Sequence, residues 1–164
     1  MILICNQIDN DGAKYLAEML KENQTLTTLD LTNNKIDFEG VSYFCEALGT
    51  NETLTKLSLQ TNHVGNLGAQ YLAEMLLMNQ TLTELNLNTN EIGDDGAQNL
   101  AEALKVNRTL KELKFDYNKI SNEGESYLKE TMQFTQIPKA LDDECFEKKN
   151  FKQGKTKGDI FKIL

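Results

Sequence analysis

Few residues in this chain of 164 have types and spacings that could do chemistry. Asn23-Gln24-Thr25, Asn51-Glu52-Thr53, Asn79-Gln80-Thr81 and Asn107-Arg108-Thr109 match the acceptor for N-glycosylation. His63 is the single histidine, and Cys5, Cys45 and Cys145 are the only thiols. Glu91, Asp94 and Asp95 form a compact acidic group that could hold a divalent cation. Each has a structural reading beside the chemical one. The acceptor tripeptides recur at one fixed spacing, which assigns Asn and Thr to element boundaries. Acidic residues ahead of a helix complement its N-terminal dipole. Cys45 occupies the slot of Ala17, Ala73 and Ala101, a small buried hydrophobe's place. Cys145 has no His or Asp near it in sequence, and His63 stands where other segments have Lys35, Glu91 and Lys119, a surface position. There is no Gly-rich phosphate loop, CxxC pair, HExxH or Ser/His/Asp set. The expectation is no enzyme, no metal and no cofactor.

What positions these residues is a repeat. NQTLTELNLNTNEIGDDG, Asn79 to Gly96, returns in recognisable form at Asn51 to Gly68, Asn23 to Gly40 and Asn107 to Gly124, a period of 28. The first half of each unit, as in Leu26, Leu29, Leu31, Asn34 and Ile36, alternates apolar residues at the period of a short strand. The second half changes to helical spacing: Ala69, Leu72, Ala73 and Leu76 make one apolar stripe, as do Ala97, Leu100, Ala101 and Leu104. Asp9, Asp37 and Ser121 sit where helix N-caps belong. Asn23, Asn51, Asn79 and Asn107 close the helices and are expected in the left-handed conformation that Asn tolerates. Asn6, Asn34, Asn62, Asn90 and Asn118 are expected to form a buried amide ladder where each strand turns away.

The units resemble the leucine-rich repeat, L-x-x-L-x-L-x-x-N plus an apolar residue, over residues 1–132. Their 28-residue length and the helical G-A-x-x-L-A-x-x-L are similar to the ribonuclease-inhibitor-like subfamily, found also in NOD-like receptors and Ran GTPase-activating proteins. The resemblance implies an α/β fold, a right-handed solenoid or horseshoe with short parallel strands on the concave face and helices on the convex face. Parallel strands stack about 4.8 Å apart and packed helices about 8 to 10 Å, so the helical side must be the longer one. The resemblance also implies a non-enzymatic module that binds a protein ligand. A GTPase-activating scaffold is the alternative.

On the strands, residues that alternate with the core leucines face the hollow: Thr28, Asp30 and Thr32, Lys56, Ser58 and Gln60, Glu84, Asn86 and Asn88, Glu112, Lys114 and Asp116. His63 and Tyr117 stand at the rim as side chains able to anchor an interface. These positions differ from repeat to repeat while the leucines hardly change, as both a recognition surface and plain solvent exposure permit. The net charge is −8. Residues 133–164 hold seven Lys and five acidic residues, +2, which leaves −10 for residues 1–132. Such a body disfavours nucleic acid and anionic lipid and favours a basic protein partner. No apolar run approaches the roughly 20 residues of a membrane span, and MILIC at the start lacks a basic flank and a cleavage site. With three scattered cysteines, a cytoplasmic protein is expected.

The two ends depart from the template. Residues 1–22 match the later part of a repeat, so either the chain is a fragment of a longer array, whose uncapped N-terminal end with Met1 to Ile4 as edge strand is then a site of self-association, or the first strand serves as an improvised cap; Ile2 and Ile4, apolar at positions of exposed type, favour the fragment. Past Met132, Thr135, Pro138 and Asp143 break the pattern. Residues 1–132 are therefore the solenoid, a partial first repeat plus four more, and 133–164 a C-terminal cap or flexible tail. Residues 142–157 are too polar for another layer, whereas Asp159 to Leu164, DIFKIL, is apolar enough to dock.

Overall fold

The computed structural model describes residues 1–135. Cys145, residues 142–157 and residues 159–164, for which the sequence raised expectations, lie outside the described residues. Along the described chain α1 (Asn10–Glu22), β1 (Thr28–Asp30), α2 (Phe38–Leu48), β2 (Lys56–Ser58), α3 (Gly65–Met78), β3 (Glu84–Asn86), α4 (Asp94–Val106), β4 (Glu112–Lys114) and α5 (Asn122–Thr135) alternate. The strands form one parallel sheet in the order β1-β2-β3-β4. Every pairing joins residues one repeat apart: Leu29 with Leu57, Leu57 with Leu85, Leu85 with Leu113. Each helix packs on the next one in sequence. This is the expected α/β leucine-rich-repeat architecture, and no described helix is long and apolar enough to cross a membrane.

The core lies between sheet and helices. Leu29, Leu57, Leu85 and Leu113 project into it from the strands, and Ala69, Leu72, Leu76, Ala97, Leu100 and Leu104 meet them from α3 and α4. A helix must start close to the strand end to bury both stripes. At Gly96 a Cβ would stand 2.7 Å from Ile92 Cγ2 and 2.9 Å from Asn66 Oδ1, so glycine permits the approach.

Two asparagine ladders run across the repeats. In the first, Asn34 Oδ1 accepts from Asn6 N and Ile8 N while its amide donates to Leu3 O and Leu31 O; Asn34, Asn62 and Asn90 are buried as expected, whereas Asn118 is half-buried and Asn6 exposed. Asn62, Asn90 and Asn118 repeat the arrangement. The second ladder corrects an expectation. Asn23, Asn79 and Asn107 cap their helices with extended backbone, at φ −81, −72 and −65, and are not left-handed. The helix ends with an outward turn, and Asn acts there through its side chain. Asn107 Oδ1 accepts from Thr109 N and Leu110 N, and its amide donates to Leu76 O of the preceding repeat at 2.7 Å. Asn51 and Asn79 do likewise, although the cap of α2 itself is Gly49, two residues before Asn51. The three later glycosylation-type asparagines are buried and their amides are spent on backbone groups.

Left-handed residues flank the first ladder: in the slot just before it Cys5, Asn33, Thr61, Thr89 and Tyr117 have φ between 54 and 59, and after it Gln7, Glu91 and Gly65 have φ 55, 61 and 59. Each of the first four still donates its N–H to the next repeat, as Thr89 N does to Asp116 O, so sheet bonding continues while the chain turns out of the strand. A β-branched residue is strained at this φ. Thr89→Asn is expected to raise stability by about 0.5 to 1 kcal/mol, measured by urea melts; a loss of stability would show that Thr89 is held by packing.

Two of the helix starts, those of α2 and α5, are capped twice. Asp9 and Asp37 accept from their own first turns, and Ser121 Oγ accepts from Gly124 N, as expected. A relay unseen in the sequence adds Asn10, Asn66 and Asp94. Each sits in the first turn of one helix and accepts from the first residues of the next: Asp37 N and Gly40 N, Gly93 N and Gly96 N, and Ser121 N. Phe38 takes this slot in α2, and α3 starts with no side-chain cap. Asp94 thus has a capping role, and among the described residues no group of three His, Cys, Asp or Glu side chains could hold a metal.

Residues Met1 to Cys5 extend the sheet beyond β1 through an isolated bridge, Ile2 to Asp30, where an edge strand was expected. Leu3 N and Cys5 N donate to Asp30 O and Thr32 O. Leu3, Ile8 and Leu16 are only half-buried, and Ile2 is 74% exposed.

Candidate protein-binding surface

Alternation along each strand turns one residue into the core and its neighbours outward, so the in-register pairing gathers the predicted surface residues into rows. Thr28, Lys56, Glu84 and Glu112 form the first row, and Asp30, Ser58, Asn86 and Lys114 the second. Thr32, Gln60, Asn88 and Asp116 form the third, carried by continuing backbone bonds such as Leu31 N to Ser58 O and Leu59 N to Asn86 O. None of the twelve is buried.

Neighbours about 4.8 Å apart interact. Thr32 Oγ1 lies 2.6 Å from Asp30 Oδ1 and 2.9 Å from Ser58 Oγ. Asn86 Nδ2 donates to Gln60 Oε1 at 3.0 Å, Asn86 Oδ1 accepts from Asn88 N, and Asn88 Oδ1 accepts from Asp116 N at 2.8 Å. The centre of the face thus holds two hydrogen-bonded sets, one of Asp30, Thr32 and Ser58 and one of Gln60, Asn86, Asn88 and the Asp116 backbone, oriented before any partner arrives. Ion pairs flank it, Lys56 with Glu84 at 2.6 Å and Lys114 with Glu112 at 3.0 Å. Both are exposed and add little to stability.

His63 and Tyr117 lie past the strand ends. His63 Nδ1 is 3.1 Å from Glu91 Oε1, and Lys119 Nζ is 2.7 Å from the other oxygen. The Lys119 ammonium, and after it the His63 ring, hold the Glu91 carboxyl below the usual range. Lys35 Nζ and Gln7 Oε1 meet at 3.3 Å in the same slot, so the turns carry their own polar row. Tyr117 is 87% exposed and borders a concavity of about 470 Å³ with Phe115, Asp116, Asn118, Ile120 and Glu125. Sequence reasoning missed Glu91 as the centre of this row and Glu125 as part of the concavity. The same-slot sequence Lys35, His63, Glu91, Lys119, with one acidic residue between His and Lys, carried the signal for the first.

Cys45 is half-buried, a partial departure from the buried site its slot predicts, because a sulfur is longer than the alanine methyl of the other repeats. Burial, with Glu74 adding to it, pushes the thiol up to about 12. The folded state therefore holds Cys45 protonated at every pH below that value, while the exposed Cys5 is open to reagent. At pH 8 a thiol reagent should modify Cys45 more than about a hundredfold slower than Cys5, with Cys45 catching up only on unfolding; comparable native rates would show an open thiol.

The TMOD/LMOD leucine-rich domain family matches residues 37–139, more than half of the chain. The chain belongs to that family. A leucine-rich repeat family also matches residues 22–45. Among solved structures, the TMOD/LMOD-type chain is similar to one titled Leiomodin-1 Actin-Binding Site 2, with 23% identity, 94% of this chain and 88% of that chain covered, and a TM-score of 0.74. It is also similar to the tropomodulin C-terminal domain of Caenorhabditis elegans, with 15% identity, 87% and 99% covered, and a TM-score of 0.52. At these identities the two structures speak for the TMOD/LMOD-type fold alone. No curated protein matches the chain.

Proposed function

We propose that this TMOD/LMOD leucine-rich domain is a non-enzymatic, cytoplasmic protein-interaction module that binds its partner on the concave rows and the turns beside them. Residues 1–132 are the binding unit and 133–164 its cap or tail. The repeats are of the 28-residue ribonuclease-inhibitor-like kind. The observation that carries the reading is the pre-oriented polar face from Thr32 to Asp116, framed by ion pairs. Such a face loses little side-chain entropy when a partner docks. Actin is the first candidate partner, because the leiomodin-1 structure similar in fold is titled an actin-binding site. The −10 carried by residues 1–132 selects a basic patch on that partner and disfavours nucleic acid.

Titrating the chain into fluorescently labelled monomeric actin tests this, with an expected affinity of about micromolar that weakens with salt. No binding to monomeric or filamentous actin at about a hundred times that concentration would remove actin as the partner. Single-turnover GTP hydrolysis by a panel of small GTPases is the companion measurement. Acceleration there would favour the GTPase-activating scaffold instead.

A further inference from the structure

The second and third rows of the strand face continue onto the first residues of the chain, and there their chemistry changes. Ile2 bridges to Asp30. Ile4 stands one repeat before Thr32, beside the bond from Cys5 N to Thr32 O. Alternation turns Leu3 toward the core and both isoleucines toward the hollow, where they are 74% and 42% exposed. All other residues of the rows are polar. Asp30, next to Ile2, also differs from the carboxylates farther along the face. Glu84 and Glu112 are held by Lys56 and Lys114, whereas no ion pair among the described residues includes Asp30. Its Oδ1 accepts from Thr32 N and Thr32 Oγ1, which leaves Oδ2 open. The Met1 ammonium donates instead to Thr28 O at 2.6 Å.

We propose that the corner formed by Ile2, Ile4 and Asp30 is a receptor for one arginine or lysine side chain of the partner. The inference rests on the strand face being the binding face, and it names the chemistry recognised at one end of it. A basic side chain is an apolar stem with a charged head. Adjacent strands lie about 4.8 Å apart, so a stem laid on Ile2 and Ile4 brings its head over Asp30 Oδ2, in a carboxylate already oriented by Thr32. A wholly apolar side chain would strip water from that carboxylate and give it no partner, and an acidic one would be repelled. The −10 carried by residues 1–132 attracts the same cation from a distance.

The test uses the full chain with isotope-labelled isoleucine methyls, followed by NMR, and a tetraarginine peptide as probe, so its outcome does not depend on actin being the partner. The Ile2 and Ile4 methyl signals should shift and saturate while those of the buried Ile36 and Ile92 stay in place. Asp30→Asn, which keeps a carbonyl oxygen for Thr32, should raise the peptide concentration at half-saturation at least about threefold. Glu123→Gln, the same loss of charge at an exposed site on α5, should change it by less than about 1.5-fold. Equal half-saturation in Asp30→Asn and the native chain would overturn the proposal, as would a titration that leaves the Ile2 and Ile4 signals in place. The expected shifts in a chain that fails to bind actin would remove actin as the partner and leave the receptor standing.

Discussion

Leu87→Ala is expected to cost roughly 2 to 5 kcal/mol, whereas Asn86→Ala, one residue away, should cost under about 1 kcal/mol. Leu87 is fully buried between sheet and helices with repeats on either side, so its missing methyls leave a cavity that neighbours on both sides cannot close. Asn86 is half-exposed, and water replaces its bonds to Gln60 and Asn88. Leu85→Ala should resemble Leu87→Ala, because strand period two places both on the core side. Urea melts of the three variants measure this. Equal losses at Asn86 and Leu87 would contradict the register on which the surface rows depend.

Asn90→Ala is the second large effect, about 2 to 4 kcal/mol. Asn90 is 0% exposed. Its Oδ1 is the acceptor for Val64 N at 3.3 Å, and its amide donates to Leu59 O at 2.8 Å. Leu59 O keeps a second donor in Asn62, so the group left stranded is the Val64 N–H, in a space too apolar for water to serve. Asn6→Ala is the matched control. Asn6 occupies the same slot, is exposed, and its amide reaches only Ile4 O, so its loss should stay under about 1 kcal/mol. Comparable losses at Asn6 and Asn90 would mean that the ladder contributes through local turn preference and not through burial.

The repeat made most of the fold legible, since Leu29, Leu57, Leu85 and Leu113 state the same alternation four times and the stripe at Ala69, Leu72 and Leu76 states the helix. The outward rows followed from that alternation. What escaped were contacts between repeats, which depend on how closely units stack. Asn10, Asn66 and Asp94 read as ordinary first-turn residues until the next helix start comes within reach, and Phe38 interrupts the series. The backbone at Thr61 and Thr89 was hidden for a different reason: threonine gives no local hint of a left-handed conformation, which the sheet bonds to Asn88 and Asp116 impose. Three of the four cap asparagines, Asn23, Asn79 and Asn107, were placed correctly and given the wrong conformation, because their side chains and not their backbones do the capping, and Asn51 stands past the end of its helix, which Gly49 caps.

The central claim is that the strand face, not the helical face, receives the partner. Affinity for monomeric actin should be compared for the native chain, for Ser58→Arg with Asn86→Arg at the centre of the rows, and for Glu46→Arg with Glu74→Arg on the helices. Glu46 and Glu74 are exposed and Ser58 and Asn86 are half-buried, none of them in the core, so the melting temperatures should stay close. The account predicts at least about a tenfold loss, 1.4 kcal/mol, for the strand-face pair and less than about twofold for the helical pair. Full affinity in the strand-face variant, with the loss falling on the helical one, would contradict it.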